Sequence, residues 1–289
     1  MGFACERKCI LKFHFYWRII IYTGFKIIEM CDSAIANVYE DKNLLGMKIN
    51  EYLIIKNEKG EVIDKRRYTK DGFKDLSYIK FKDFKPLSPK QECAFDLLNN
   101  RNIPIKILAG VPGAGKTVMA IRFAIYYLNK GIYNHILVVR HNVGIGEKNG
   151  YLPGNKIEKI MGWLGFLNDN LDFMQYTLNE MIDREMIEVD SVEYMKGRDL
   201  KNTFIIIDEA EDLTTEQFKM LGERVSKDSV ICFIGDEQQS TQDKYANNSG
   251  LKHAIEVLGG QELVGIVAFD DKLADNWRSD ASKIFSYYY

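Results

Sequence analysis

The stretch from Gly110 to Thr117, GVPGAGKT, constrains the fold of this chain more than any other. It fits the pattern G-x-x-x-x-G-K-[ST] in full, and it stands between an apolar run, Ile105–Ala109, and an apolar-periodic segment over 116–130. Glycines at this spacing let backbone N–H groups turn inward around phosphate oxygens, and the amino end of a following helix adds positive potential. We therefore predict a strand, a phosphate-binding loop and a helix, in this order.

Each position of this loop has a predicted role. Lys116 would reach the β and γ phosphates of a nucleotide, and the Thr117 hydroxyl would ligate Mg²⁺. The other loop residues would hold phosphate through their backbone, and they are Gly110, Val111, Pro112, Gly113, Ala114 and Gly115. ATP and Mg²⁺ are therefore the expected cofactors. The alternative is an ordinary strand–turn–helix with chance glycines.

Further along the chain, apolar and β-branched runs alternate with helical patterns. The runs that predict strands are Ile105–Ala109, Ile136–Val139, Ile187–Tyr194, Thr203–Ile207, Val230–Ile234 and Val264–Ala268. Helical periodicity falls at 90–99, 116–130, 156–183, 215–225 and 249–258. Unalternating apolar strands suit a buried parallel sheet, and strand–helix alternation predicts a doubly wound α/β fold with helices flanking that sheet. Thr214 and Gln217 fit a capping box at the start of one helix.

A second acidic motif lies in the stretch NTFIIIDEAED. It places Asp208 and Glu209 at the carboxyl end of a predicted strand. Asp208 suits Mg²⁺ coordination, and Glu209 suits polarising an attacking water, which favours a hydrolase over a small-molecule phosphotransferase. The alternative is that both acids only cap the next helix, since acids favour helix amino ends.

Three further residues are candidates for binding or sensing the nucleotide. Gln239, in IGDEQQ, would lie near the γ-phosphate, with a plain strand-to-turn exit as the alternative. Gln91 has an amide that can pair with the adenine edge, although a surface glutamine is the simpler interpretation of that residue alone. Arg278 fits an arginine finger, in cis or across a subunit contact, and its alternative is a surface ion pair with Asp275 or Asp280.

Two polar loops carry basic residues that are candidates for contacting nucleic acid. Arg140 begins the Gly-rich part of VVRHNVGIGEKNGYLPGN, and Lys196 and Arg198 belong to YMKGRD. We predict a basic strip on one face from these three residues, with solvated loops as the alternative. The net charge of 39 minus 41, or −2, gives no global basic bias, so a nucleic-acid surface must be local.

Composition and the first residues set the expected compartment. Five scattered cysteines without a CxxC pair favour free thiols in a reducing, cytoplasmic setting over disulfides or a zinc site. The apolar stretch 9–28 contains four basic or histidine side chains and lacks the features of a signal peptide, so a membrane span is not expected. Interfacial contact, a poorly ordered or packed extension, and a misassigned start at Met30 or Met47 stay open for this stretch.

The chain divides into three predicted parts. Residues 1–43 form an unassigned extension, and residues 87–289 form the α/β domain. Between them, residues 44–86 read as a small β-rich unit, because EYLIIKNEKGEVIDKRRY has two alternating runs around a Glu-Lys-Gly turn.

Several motifs together carry a family resemblance. The stretches GVPGAGKT, VVRHNVGIGEKNGYLPG, YMKGRDLKNTFIIIDEAEDLTTEQFKML, IGDEQQ, NSGL and the late VGIVAFDD…WRSD occur in one order. This set resembles the PhoH family of phosphate-starvation-inducible ATPases, over roughly residues 87–289. The segment NLLGMKINEYLIIKNEKGEVIDK is also similar to the linker of longer members, which carry a nuclease-like PIN domain upstream.

The resemblance implies a RecA-like P-loop core related to superfamily-one helicases, with ATP hydrolysis and ring-shaped homo-oligomers such as hexamers. Longer members are associated with RNA unwinding and cleavage. The matching positions in this chain are Lys116 and Thr117 for nucleotide and metal, Asp208 and Glu209 for the second acidic motif, Gln239 for GDxxQ, Gln91 for the adenine-reading glutamine and Arg278 for the late arginine.

The chain departs from the family pattern at three places. The family usually reads VRP where this chain has Val139, Arg140 and His141, and it usually has Gln and Asn where Glu211 and Asp212 stand. An added glutamate near the γ-phosphate weighs against sensing through a glutamine. About 40 upstream residues cannot house a nuclease domain, so RNA cleavage is not expected.

The sequence thus predicts a Mg²⁺-dependent ATPase that couples hydrolysis to RNA or single-stranded nucleic acid as a homo-oligomer. Hydrolysis follows from the residues themselves, whereas the nucleic-acid partner follows mainly from the resemblance. The alternative is a nucleotide-dependent switch or assembly factor that binds a protein partner and unwinds nothing.

Overall fold

The computed structural model of the protein describes residues 22–30, 35–40, 45–140, 178–236, 248–271 and 275–277. These residues form two sheets, one of six strands and one of four. No helix within the described ranges combines the length and apolar character that a bilayer crossing requires.

The large sheet is parallel throughout. Its strands are β5 (Ile105–Gly110), β6 (His135–Arg140), β7 (Ile187–Ser191), β8 (Thr203–Asp208), β9 (Val230–Gly235) and β10 (Val264–Phe269), in the order β10-β5-β9-β8-β6-β7. Every residue of β8, β9 and β10 is buried, which is why the sequences of these strands do not alternate between apolar and polar residues. The predicted α/β fold with a parallel sheet is confirmed. One predicted strand is shorter than expected, because a 3₁₀ turn over Val192–Met195 follows Ser191.

Helices cover both faces of this sheet. On one face lie α2 (Pro89–Asn99) and α3 (Lys116–Asn129), whose Phe95 and Phe123 share a core with Leu108. The other face carries α5 (Thr215–Gly222) and α6 (Gly250–Leu258), which pack with the neighbouring Ile107. Alternate residues of β5 therefore serve opposite cores, as the pleat requires.

The chain also has two shorter helices. These helices are α1 (Ile35–Glu40) and α4 (Leu178–Asp183), and α4 is the part of the predicted 156–183 helix that lies within the described residues. The predicted capping box at the start of α5 is present, because the Thr214 and Gln217 side chains each bond the other residue's backbone N–H.

The small sheet precedes the large one in the chain. Its strands are β1 (Phe25–Glu29), β2 (Tyr52–Lys56), β3 (Val62–Thr69) and β4 (Gly72–Asp75), paired in this order. The last three strands are antiparallel, and they contain the hairpin that the Glu-Lys-Gly pattern predicts. The first strand pairs parallel to β2 and comes from the 1–43 segment, to which the sequence assigned no structure.

Buried polar contacts tie the small sheet to α2. Asp96 of α2 accepts hydrogen bonds from Tyr52 Oη at 2.9 Å, Arg67 Nε at 2.9 Å and Ser77 N at 2.7 Å. Asn50 Nδ2 also donates to Val264 O at 3.0 Å, at the start of β10. The small sheet therefore braces the helix and the strand that flank the phosphate loop.

A buried lysine fixes the other end of α2. Lys106 lies in β5 with 1% of its surface exposed, and its Nζ donates to Leu97 O at 2.7 Å, Asn100 O at 2.6 Å and Ile103 O at 2.8 Å. Carbonyls at a helix carboxyl end lack partners within the helix and carry partial negative charge. Lys106 adds a donor to the carbonyls of Leu97, in the last turn of α2, and of Asn100 directly after it, and so links this end of α2 to β5.

Candidate nucleotide-binding site

The predicted phosphate loop runs from the end of β5 to the start of α3. Gly115 precedes the helix in a left-handed conformation, with φ of 81°, which favours glycine. Gly110 also has positive φ, and a Cβ there would lie 2.0 Å from Phe269 O of β10. Glycine at both positions thus lets the loop turn tightly beside the neighbouring strand.

The side chain of Lys116 folds back into this loop. Its Nζ donates to Gly110 O and, at 2.8 Å, to Val111 O, and only 9% of the residue is exposed. The ammonium group is therefore aimed along the loop backbone, where the phosphate groups of a nucleotide bind in proteins with this loop.

Thr117 meets the second acidic motif across the sheet. Its Oγ1 donates to Asp208 Oδ1 at 3.2 Å. A hydroxyl and a carboxylate beside a phosphate loop are the oxygen ligands that Mg²⁺ takes from protein, with water and phosphate completing its shell. These two residues fit the metal, and they are the ones that would hold it.

Glu209 follows Asp208 at the carboxyl end of β8. Its backbone is left-handed, with φ of 57°, an uncommon conformation for a non-glycine residue. The side chain is 44% exposed and accepts from Arg140 Nη2 at 2.7 Å. Glu209 begins a 3₁₀ turn over Ala210–Asp212, and its side chain does not cap that turn. The helix-cap alternative therefore does not describe this residue.

Glu211 is packed against the end of β9. A Cβ on Gly235 would lie 2.4 Å from Glu211 Oε2, and this oxygen is buried with no hydrogen-bond partner among the described residues. Burial raises the pKa of the Glu211 carboxyl to about 7, against the opposing effects of backbone N–H groups and of Lys116. A carboxyl group that readily takes a proton thus stands where the resemblance led us to expect glutamine.

Gln91, the candidate for reading adenine, contacts the phosphate loop. Its Oε1 accepts from Leu87 N at 2.6 Å, and its Nε2 donates to Ala114 O at 3.0 Å. The residue is 6% exposed, so the surface-glutamine alternative does not hold. The amide links the amino end of α2 to the phosphate loop.

The segment directly before the candidate Arg278 also reaches the loop. Trp277 N donates to Gly113 O at 3.1 Å, and Asp275 Oδ2 accepts from Lys90 Nζ at 2.7 Å. Asp275 is buried, whereas 44% of Trp277 is exposed. The segment joins the loop to α2 one residue from Gln91. The signal available in the sequence was an aromatic residue directly before the candidate Arg278.

A family model described as PhoH-like protein matches residues 83–289. The chain belongs to the PhoH-like family. It is 30% identical to the protein PhoH2 of Bacillus subtilis, in a match that covers 86% of this chain and 60% of that relative. It is 34% identical to a PhoH-like protein of Mycobacterium leprae, covering 64% of this chain and 52% of the relative. The chain thus spans about half to three fifths of these relatives.

Solved structures show weaker likeness. The Hef helicase domain of Pyrococcus furiosus matches 60% of this chain and 37% of its own, with 13% identity and a TM-score of 0.34. Domain III of the replication initiation protein DnaA from Thermotoga maritima matches 65% of this chain and 66% of its own, with 16% identity and a TM-score of 0.33.

In this PhoH-like protein, two of the three residues of the predicted basic strip, Arg140 and Arg198, contact carboxylates. Arg198 pairs with Glu188 at 2.8 Å and with Asp190 at 2.9 Å. The nearby His135 and Arg198 side chains lower the pKa of Glu188 to about 2, so the carboxylate stays charged in this pair. Lys196 is exposed. Arg140 contacts the acidic motif of the nucleotide site.

Two other candidates fall outside the described residues. Gln239 follows β9 by four positions, and Arg278 follows Trp277 directly. Gly235, the last residue of β9, and Trp277 lie at the carboxyl edge of the sheet with the phosphate loop. The roles of Gln239 and Arg278 stay predictions.

Proposed function

We propose that this PhoH-like protein binds ATP with Mg²⁺ at the phosphate loop and hydrolyses it. The observation that carries the proposal is the 3.2 Å contact of Thr117 Oγ1 with Asp208 Oδ1. It brings the loop that would bind phosphate and the acids that would serve hydrolysis into one site. When bound, Mg²⁺ supplies positive charge to the phosphate oxygens.

The side chains would divide the reaction among them. Lys116 would stabilise negative charge on the β and γ phosphates, and Gln91 would position the adenine. Glu209 would accept a proton from water as the water oxygen bonds the γ-phosphorus and the bond to the β-phosphate oxygen breaks. We assign Gln239 to sensing the γ-phosphate and Arg278 to stabilising the charge that develops on it, in cis or from a ring neighbour.

We further propose RNA or single-stranded nucleic acid as the partner to which hydrolysis is coupled. Family membership and the exposed Lys196 support this partner. One observation favours a second candidate, a nucleotide-dependent switch that binds a protein partner. Arg198 and Arg140 are both engaged by carboxylates, which reduces the positive charge that the predicted strip offers to a polynucleotide.

Steady-state hydrolysis of ATP by the full chain, with Mg²⁺ and with or without single-stranded RNA, separates these candidates. Turnover that rises with RNA supports the coupled ATPase, and turnover indifferent to RNA supports the switch. Both candidates require that Lys116→Ala and Glu209→Gln abolish turnover. Matched changes at exposed positions, Lys130→Ala and Glu193→Gln, should leave it unchanged. Turnover that persists in both site variants would contradict the assigned site.

A further inference from the structure

Arg140 and Asp208 are neighbours by strand register. Arg140 ends β6 and Asp208 ends β8, and the two residues are directly paired in this parallel ladder. The guanidinium group therefore emerges at the carboxyl edge of the sheet beside the acidic motif. Its position is set by backbone hydrogen bonds and not by a flexible loop.

One nitrogen of Arg140 bridges both acids of the motif. Nη2 lies 3.0 Å from Asp208 Oδ2 and 2.7 Å from Glu209 Oε1. Asp208 is nearly buried, with 10% of its side chain exposed, whereas the Arg140 and Glu209 side chains are 38% and 44% exposed. The contact between Arg140 and Glu209 can thus be reached by a ligand from solvent.

This bridge opposes the chemistry proposed for both acids. A carboxylate that accepts a charge-assisted hydrogen bond from arginine is held in one geometry and is a weaker acceptor for a proton from water. A guanidinium beside Asp208 also repels a divalent cation at the same carboxylate. In the arrangement described here, Glu209 is therefore held in a form unsuited to catalysis.

We propose that Arg140 is a positioning residue, which holds Glu209 inactive until a phosphate group draws the guanidinium away. The inference rests on the proposed function of the site. Arginine pairs with phosphate as well as with carboxylate, so a phosphate can compete for it. That phosphate belongs either to a polynucleotide backbone or to the nucleotide itself, at its γ position.

The first test measures binding and needs no turnover. The Mg²⁺ concentration that gives half-maximal binding of a fluorescent, non-hydrolysable ATP analogue is compared in the wild-type protein and in Arg140→Ala. Removing the competing cation should lower this concentration several-fold. Arg140→Lys keeps the charge and should stay near the wild-type value, as should Arg101→Ala at the opposite edge of the sheet. An unchanged or higher Mg²⁺ requirement in Arg140→Ala, with no loss of affinity for the analogue at saturating Mg²⁺, overturns the proposal.

The second test uses hydrolysis to identify the phosphate. If the polynucleotide backbone is the ligand, Arg140→Ala should raise basal kcat several-fold, and stimulation by poly(U) RNA should fall to about onefold. If the γ-phosphate is the ligand, the RNA response should be unaltered while the KM for ATP rises. A kcat that falls as far as in Glu209→Gln, with no change in the Mg²⁺ requirement, would make Arg140 a structural or directly catalytic group. Absence of turnover in the wild type would count against the proposed function, and the binding test would still decide the role of Arg140.

Discussion

Thr117 Oγ1 lies 3.2 Å from Asp208 Oδ1, although 91 residues separate the two in the chain. The contact arises because β5 and β8 flank β9, so the loop after β5 and the end of β8 meet at the same edge of the sheet. This edge is where nucleotides bind in open parallel sheets.

Removing the Thr117 hydroxyl should weaken the nucleotide site only when Mg²⁺ is present. Thr117→Val keeps the shape of the side chain but deletes the oxygen proposed as a metal ligand. We expect the affinity for ATP with Mg²⁺ to fall about tenfold, or about 1.4 kcal/mol, measured by titration calorimetry. Affinity in EDTA should change less than twofold, and Thr117→Ser should restore binding. Equal losses with and without Mg²⁺ would contradict the metal role.

Gln91 should determine the preference for adenine. Its side chain links Leu87 N to Ala114 O, so it is held at the loop in a fixed orientation. Gln91→Ala should raise the KM for ATP about tenfold, a loss of about 1.4 kcal/mol, and bring it near the KM for GTP. Values of kcat should change far less, and Gln261→Ala at an exposed position serves as the control. A variant that keeps the wild-type ratio of the two KM values would exclude the base-reading role.

Glu211 should make the stability of the protein depend on pH. Its pKa rises from 4.5 to about 7 on folding, so the folded state binds more protons than the unfolded state between these values. The free energy of unfolding therefore falls as the pH rises through this window. Between pH 5 and pH 8 the free energy of unfolding of the wild type should fall by on the order of 2 kcal/mol because of Glu211, as measured by urea unfolding. In Glu211→Gln this fall should be absent. The exposed Glu223→Gln is the control, and identical pH profiles for Glu211→Gln and wild type would refute this assignment.

Lys106 should be a large contributor to stability, although burial lowers its pKa to about 7. Lys106→Met fills the same space but leaves the carbonyls of Leu97, Asn100 and Ile103 without their buried donor. We expect a loss of about 2–4 kcal/mol in the free energy of unfolding, measured by urea denaturation. The exposed Lys130→Met should cost less than about 0.5 kcal/mol. A stable Lys106→Met would show that the ammonium contacts contribute little.

The elements of the large sheet could be predicted because their signals are local. Most of the six strands are largely apolar runs, whereas β7 alternates apolar and acidic residues, and Thr214 with Gln217 is a cap that four residues define. The phosphate loop and the acids after β8 likewise follow from short motifs at strand ends. Such signals require no knowledge of which strands are neighbours.

The contacts that were missed depend on neighbours across the sheet. Arg140 meets Asp208 through strand register, which a single sequence does not give. Arg198 is neutralised by Glu188 and Asp190, which alternate along β7 and become its partners only when the chain turns back. The parallel pairing of β1 with β2 was also missed, because one short strand from an unassigned segment carries no signal of its partner.

The most direct measurement of the central claim is a single turnover of bound ATP. Radiolabelled ATP with Mg²⁺ is mixed with excess wild-type protein or Glu209→Gln, and the conversion of bound ATP to ADP is followed over time. If the loop and the acids form one hydrolytic site, the wild type converts its ATP, and Glu209→Gln binds with similar affinity but keeps ATP intact. Conversion at the wild-type rate in Glu209→Gln would contradict the assignment of this residue and of the site built around it.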